Sequence, residues 1–191
     1  MLLAASPAFA QAGDFQLRLR NLVVAPAASA DIQIGGKHIG GATKASTSDV
    51  PEADLTYFIT DNIAAEVIAG VTKHTVSNSV AGRIASTELL PPTVTVQYHF
   101  DPNGPIRPYV GAGINYTLFF NNNSALPGLR ITNNVGWALQ AGVDVPVGDG
   151  PYFFNVDVKK IFLATNIRAT GFVAPAHLDP WLIGVGVGVR F

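Results

Sequence analysis

The chain closes on DPWLIGVGVGVRF, residues 179–191, and the reading of this stretch decides the fold. From Trp181 onward the odd positions are Trp181, Ile183, Val185, Val187, Val189 and Phe191, all large and apolar. The even positions between them are Leu182, Gly184, Gly186, Gly188 and Arg190. A period of two belongs to a β-strand, whose successive side chains point to opposite faces. At about 3.3 Å per residue and a tilt near 40°, the rise from Trp181 to Phe191 is about 25 Å, the height of the apolar band of a membrane barrel. The odd face therefore reads as lipid-facing, with Trp181 and Phe191 in opposite interfacial girdles. The even face reads as a crowded interior where glycine leaves room for side chains from other strands, with Arg190 at its mouth.

Seven further segments alternate in the same way: residues 15–24, 53–60, 63–76, 93–100, 107–119, 135–147 and 152–167. The connections between them alternate in length. Asp61-Asn62, residues 101–105 (DPNGP) and residues 148–151 (GDGP) are tight-turn chemistry. Residues 25–52, 77–91, 120–134 and 168–178 are long and rich in Ala, Ser, Thr, Asn, Gly and Pro, and Asn121, Asn122 and Asn123 read as a loop tip. Short turns at one end, long loops at the other and an even strand count describe an all-β, eight-stranded antiparallel transmembrane β-barrel. A soluble barrel would carry charge on its outer face. Here the non-apolar faces are mostly Gly, Thr, Asn and Gln, which suits a lumen.

Composition agrees. Of 191 residues, 48% are hydrophobic and 13% charged, with a net charge of −1. Nothing in that balance suits nucleic-acid binding. The absence of cysteine excludes disulfides and thiol chemistry. Residues 1–10 read as the remainder of a truncated export signal, because Ala8-Phe9-Ala10 follows an apolar run without a basic start. Residues 11–191 then form the single barrel domain.

The phrases DLTYFITDNIAAEV (54–67), PPTVTVQYHF (91–100), RPYVGAGINYTLFF (107–120), NVDVKKI (155–161) and LDPWLIGVGVGVRF (178–191) resemble the OmpW family, which also includes the AlkL-type alkane-uptake proteins. The resemblance implies a monomeric barrel in the outer membrane of a Gram-negative bacterium, bathed in lipid and lipopolysaccharide. It also implies a narrow lumen that passes small hydrophobic molecules. The closing Phe191 resembles the terminal signature read by the outer-membrane assembly machinery. The family offers no active-site motif, so residue roles follow from position.

Eight strands leave an interior just wide enough for side chains or one small ligand. Arg18, Arg20, Glu66, Asp144, Asp157, Lys159 and Arg190 fall on the inward parity near the short turns, and are expected to gather as a polar plug in the periplasmic half. Leu22, Val24, Ile68, Ile161, Leu163 and Leu182 are expected to line an apolar cup above it, open to the outside. Pro26, lacking a ladder donor, marks a candidate lateral exit. Lys160 falls on the lipid-facing parity, so it snorkels near the outer interface or the register there is displaced. No catalytic group, cofactor site or metal-ligand spacing emerges. The leading expectation is passive uptake of small hydrophobic molecules with sideways exit above the plug. An impermeable adhesive barrel with binding loops, or a small ion-conducting pore, are the alternatives.

Overall fold

The computed structural model describes residues 11–25, 28–30, 33–34, 37–38, 43–78, 82–124, 128, 130–169 and 172–191. Eight strands form the barrel: β1 (Phe15–Ala25), β2 (Ser48–Phe58), β3 (Ile63–Gly70), β4 (Thr93–His99), β5 (Arg107–Ser124), β6 (Asn134–Pro146), β7 (Tyr152–Phe162) and β8 (Trp181–Arg190). Each pairs antiparallel with its chain neighbours. The sheet closes where β1 meets β8, from Gln16↔Arg190 to Ala25↔Trp181. Closure leaves no edge strand, so every strand in the membrane has a ladder partner on both sides.

The two faces carry opposite chemistry. Leu19, Val67, Val96, Trp137 and Val185 all point outward and are each more than half exposed. Arg18, Glu66, Asp144 and Asp157 point inward and are completely covered. A water-soluble barrel would reverse this arrangement, because about 25 cal/mol is lost for each Å² of apolar surface left in water. Outward aromatics collect at two levels. Phe15 lies 4.9 Å from Tyr57 and 6.1 Å from Phe191 at the level of the short turns. Trp137, Phe162 and Trp181 stand at the other end of their strands, with Trp137 paired to Phe162 across β6 and β7.

Lys160 does lie on the outer face, paired to Trp181 across β7 and β8, so the register is not displaced. Its ammonium sits 4.9 Å from the Trp181 ring and 5.9 Å from that of Phe162, and it donates to the Asp179 carbonyl. The long side chain thus runs past the aromatic rings to reach a backbone acceptor.

Several expected boundaries move. The second strand begins at Ser48 instead of 53 and includes Pro51. The third breaks after Gly70 and resumes as Thr72–Asn78, and the seventh is interrupted before Ala164–Ala169. The stretches read as long loops carry much of their own ladder: Thr72–Asn78 pairs with Gly82–Leu90, which pairs with the outer part of β5, and Ala164–Ala169 pairs with Phe172–Leu178. Asn121, Asn122 and Asn123 belong to β5 and are no loop tip. The physical reason is that pairing continues beyond the lipid while the demand for an apolar face does not. Strands there lose the alternation that reveals them.

At the other end the turns are tight. Thr60 Oγ1 accepts from the backbone N–H groups of Asn62 and Ile63, at 3.3 and 2.9 Å. Gly148 has φ of 62°, which an L side chain rarely adopts. The turn after β4 folds beneath the barrel, where Arg190 Nη1 donates to Pro102 O at 3.3 Å and Arg107 Nε to Gly104 O at 3.2 Å.

Candidate functional site

The interior is built in three layers. Nearest the short turns lie the buried rings of Phe58, His99, Tyr109 and Phe153. His99 stacks on Tyr109 at 5.1 Å and tilts against Phe58 at 4.9 Å. Tyr109 and Phe153 fit only because the strands beside them carry glycine. A Cβ on Gly142 would lie 2.4 Å from the Tyr109 ring, and one on Gly188 would lie 2.2 Å from that of Phe153.

Above the rings is a network of buried ions. The Arg18 guanidinium is 3.0 Å from both Asp54 and Asp144 and 3.3 Å from Glu66, and it also donates to Thr56 Oγ1 at 2.8 Å and Gln16 Oε1 at 3.0 Å. It lies 5.1 Å from the Tyr109 ring centre, so the aromatic layer supports it from below. Arg20 pairs with Asp54, with Glu52 at 2.8 Å and with Asp157 at 3.6 Å. Lys159 bridges Asp157 at 2.7 Å and Glu52 at 3.1 Å. Tyr109 Oη and Gln140 Nε2 each donate to Asp157 at 2.8 Å, and Asn155 Nδ2 donates to Asp144 at 2.7 Å. Removing charges from water costs several kcal/mol each, so they persist only when paired, as each of these is, although Arg20 Nε has no hydrogen-bond partner.

Six of the seven ions expected in the plug therefore meet: Arg18, Arg20, Glu66, Asp144, Asp157 and Lys159. Arg190 is buried at the mouth but stands apart. Its guanidinium lies 4.8 Å from the Phe58 ring centre, and it makes no ion pair among the described residues. Sequence reasoning missed Glu52 and Asp54, which supply the network with two of its carboxylates, and Arg107 at the turn. A signal was present. Asp54 lies inside the alternating segment 53–60 on the even parity of Thr56 and Phe58, and Glu52 continues that parity just before it, where Pro51 hides the continuation of the strand.

The third layer is apolar. Leu22, Val24, Val50, Ala138, Ile161, Leu163 and Leu182 form one buried cluster, with Phe119 and Leu178 against it. Ile68 joins Leu22, Val50, Ile161 and Leu182 in lining a cavity of about 20 Å³, with Glu52 and Lys159 among its other walls. That is room for about one water molecule. Among the described residues the expected lining side chains pack on one another, those of β1, β2, β7 and β8 closing together around this small cavity.

Pro26 lies outside the described residues. A different interruption is visible in the wall. β4 pairs with β3 as far as Thr93↔Ile68, and the ladder resumes in the same register at Thr72↔Leu89. Between them Pro91 and Pro92 run alongside residues 69–71 with no ladder pairing across that gap. The Pro91 carbonyl is turned to side chains, accepting from Thr93 Oγ1 at 3.0 Å and Asn115 Nδ2 at 3.1 Å. Pro92 keeps its link to the other side, its carbonyl accepting from Tyr116 N at 3.0 Å. Pro91 also lines the small cavity, so the interruption and the apolar layer adjoin. Among the described residues no group of three His, Cys, Asp or Glu side chains is placed to hold a metal ion.

The profile of the OmpW family matches residues 11–191. The uncharacterized outer-membrane protein y4mB of Sinorhizobium fredii is 43% identical over 187 residues, 93% of this chain and 80% of that protein. The dibenzothiophene metabolism operon protein PahQ of Pseudomonas aeruginosa is 31% identical over 199 residues, 98% of this chain and 93% of its own length. The outer membrane protein OprG from Pseudomonas aeruginosa superposes with a TM-score of 0.85 at 26% identity, covering 95% of this chain and 97% of that one. With its closed barrel, apolar exterior and a match that spans every strand, the chain belongs to the OmpW family of the Gram-negative outer membrane.

Proposed function

We propose that the protein is a passive conduit for small hydrophobic molecules, which enter from the outer end, are stopped by the ion network and leave sideways through the wall. The observation that carries this reading is the adjacency of the apolar layer to the ladder interruption at Pro91, with the network of Arg18, Arg20 and Lys159 directly beneath. An apolar molecule in the upper barrel meets paired charges below it and a break in the β3–β4 ladder beside it. Displacing the ion pairs would leave charges unsatisfied, at a cost of about 3–5 kcal/mol for each broken pair. Parting a wall that lacks ladder bonds costs far less. The name of PahQ, which sets that relative among genes for metabolism of an apolar heterocycle, points the same way.

Of the alternatives, an ion pore would need a row of charge free to attract its ion. Arg18, Arg20 and Lys159 are each engaged with carboxylates instead, which favours the apolar route. In the same reading the barrel works as a monomer, Trp181 and Phe191 anchor the two interfaces, and Phe191 presents the strand to the assembly machinery. The test is uptake of a labelled alkane by cells that lack the gene and express either the natural chain or Leu182→Asp or Ile68→Asp. Both variants should return uptake to the level of the deletion while still showing heat-modifiable migration of a folded barrel. Uptake at the natural level in both would overturn the proposal.

A further inference from the structure

The apolar layer is not apolar on every side. The cavity lined by Leu22, Ile161 and Leu182 is also lined by Thr72, which is 3% exposed. Thr72 Oγ1 is buried and has no hydrogen-bond partner. Its neighbour across the interruption differs, because Thr93 Oγ1 donates to Pro91 O at 3.0 Å and accepts from Asn115 Nδ2 at 2.8 Å. Buried polar groups in folded proteins are almost always satisfied, so the unpartnered hydroxyl of a residue in the wall of this apolar chamber is available to a ligand atom. A threonine hydroxyl both donates and accepts, so it suits an alcohol and a carbonyl equally.

The charge of the chamber narrows the class. The two ions in its lining, Lys159 and Glu52, are engaged with each other at 3.1 Å. A carboxylate headgroup would meet Glu52, and an ammonium would meet Lys159, with no unpaired countercharge for either. A neutral oxygen incurs neither penalty.

We propose that this chamber recognises an apolar molecule carrying one neutral oxygen function, an alcohol, aldehyde or ketone, whose oxygen is bonded by Thr72 while its chain lies against Leu22, Ile68, Ile161 and Leu182. The proposal rests on the conduit reading above and deepens it. Thr72 stands beside the wall interruption at Pro91, so the polar end is held where the molecule turns towards the lipid. The cavity of about 20 Å³ must widen to admit a chain.

The experiment measures uptake of labelled 1-decanol and labelled decane, at low concentration, in gene-deleted cells expressing the natural chain, Thr72→Val or Thr72→Ser. The ratio of decanol to decane uptake should fall about tenfold in Thr72→Val, the value of one hydrogen bond, and recover in Thr72→Ser. Valine matches threonine in shape, and folded protein is verified by heat-modifiable migration. A ratio unchanged in Thr72→Val overturns the inference, whether both uptakes fall together or neither does. If the natural chain raises uptake of neither compound, the conduit reading itself fails. If it raises both with the ratio indifferent to residue 72, only the present inference does.

Discussion

The Phe153 ring occupies the space that a side chain at Gly188 would take, with its Cζ atom 2.2 Å from where that Cβ would lie. The terminal glycine run is thus one half of a packing contact whose other half comes from β7. Gly188→Val should force the ring from its rotamer and destabilise the barrel by about 1–3 kcal/mol. Urea unfolding in lipid vesicles measures this. Combining Gly188→Val with Phe153→Ala should recover part of the loss, and a double variant as unstable as the sum of the singles would show that the two residues do not share the space.

Lys159 and Glu52 offer a test of charge balance. Removing Lys159 alone leaves the carboxylates of Glu52 and Asp157 to Arg20, so Lys159→Met should cost about 3–5 kcal/mol. Adding Glu52→Leu removes one charge of each sign and extends the apolar layer downward. The double variant should therefore be more stable than Lys159→Met alone. Additive losses in the same unfolding measurement would mean that the two groups act independently.

The barrel was legible because lipid imposes an unbroken period of two on the strands inside it, from Phe15 in β1 to Phe191 after β8. Residues such as Leu19, Val96 and Val185 declare their face through that demand alone. Above the lipid it lapses, and the strands Gly82–Leu90 and Phe172–Leu178 were hidden in stretches that read as loops. Inside the barrel, parity offered Arg18, Asp54 and Asp157 alike but gave no distances, so the pairing of Arg18 with Asp54 and Asp144 could come only from the three-dimensional register. The Pro91 interruption was concealed for another reason. A proline pair before a strand reads as its start, and only the ladder resuming at Leu89 shows that the strand runs through it.

Lys160 should report on the outer interface. Its ammonium lies over Trp181 and bonds the Asp179 carbonyl, so Lys160→Ala loses a cation–π contact and a hydrogen bond together, about 1 kcal/mol or slightly more. Lys160→Glu should cost more, because a carboxylate can neither donate to Asp179 nor sit favourably over an aromatic face. Trp181 emission, read in a variant with Trp137→Phe, should shift in both. An unchanged spectrum would place the lysine away from the ring.

The wall interruption can be tested with its own control. In an antiparallel strand the N–H and C=O of one residue face the same neighbour, and adjacent residues face opposite ones. Pro92 O accepts from Tyr116 in β5, so residue 92 faces β5 and residue 91 faces the strand carrying residues 69–71. Pro91→Ala therefore supplies an N–H across the interruption, whereas Pro92→Ala supplies one to the side that is already bonded. If molecules leave through this wall, Pro91→Ala should reduce alkane uptake several-fold and slow hydrogen exchange at residues 69–71. Pro92→Ala should do neither. Equal uptake by the two variants, with both barrels folded, would remove the interruption from the route and leave the exit elsewhere in the wall.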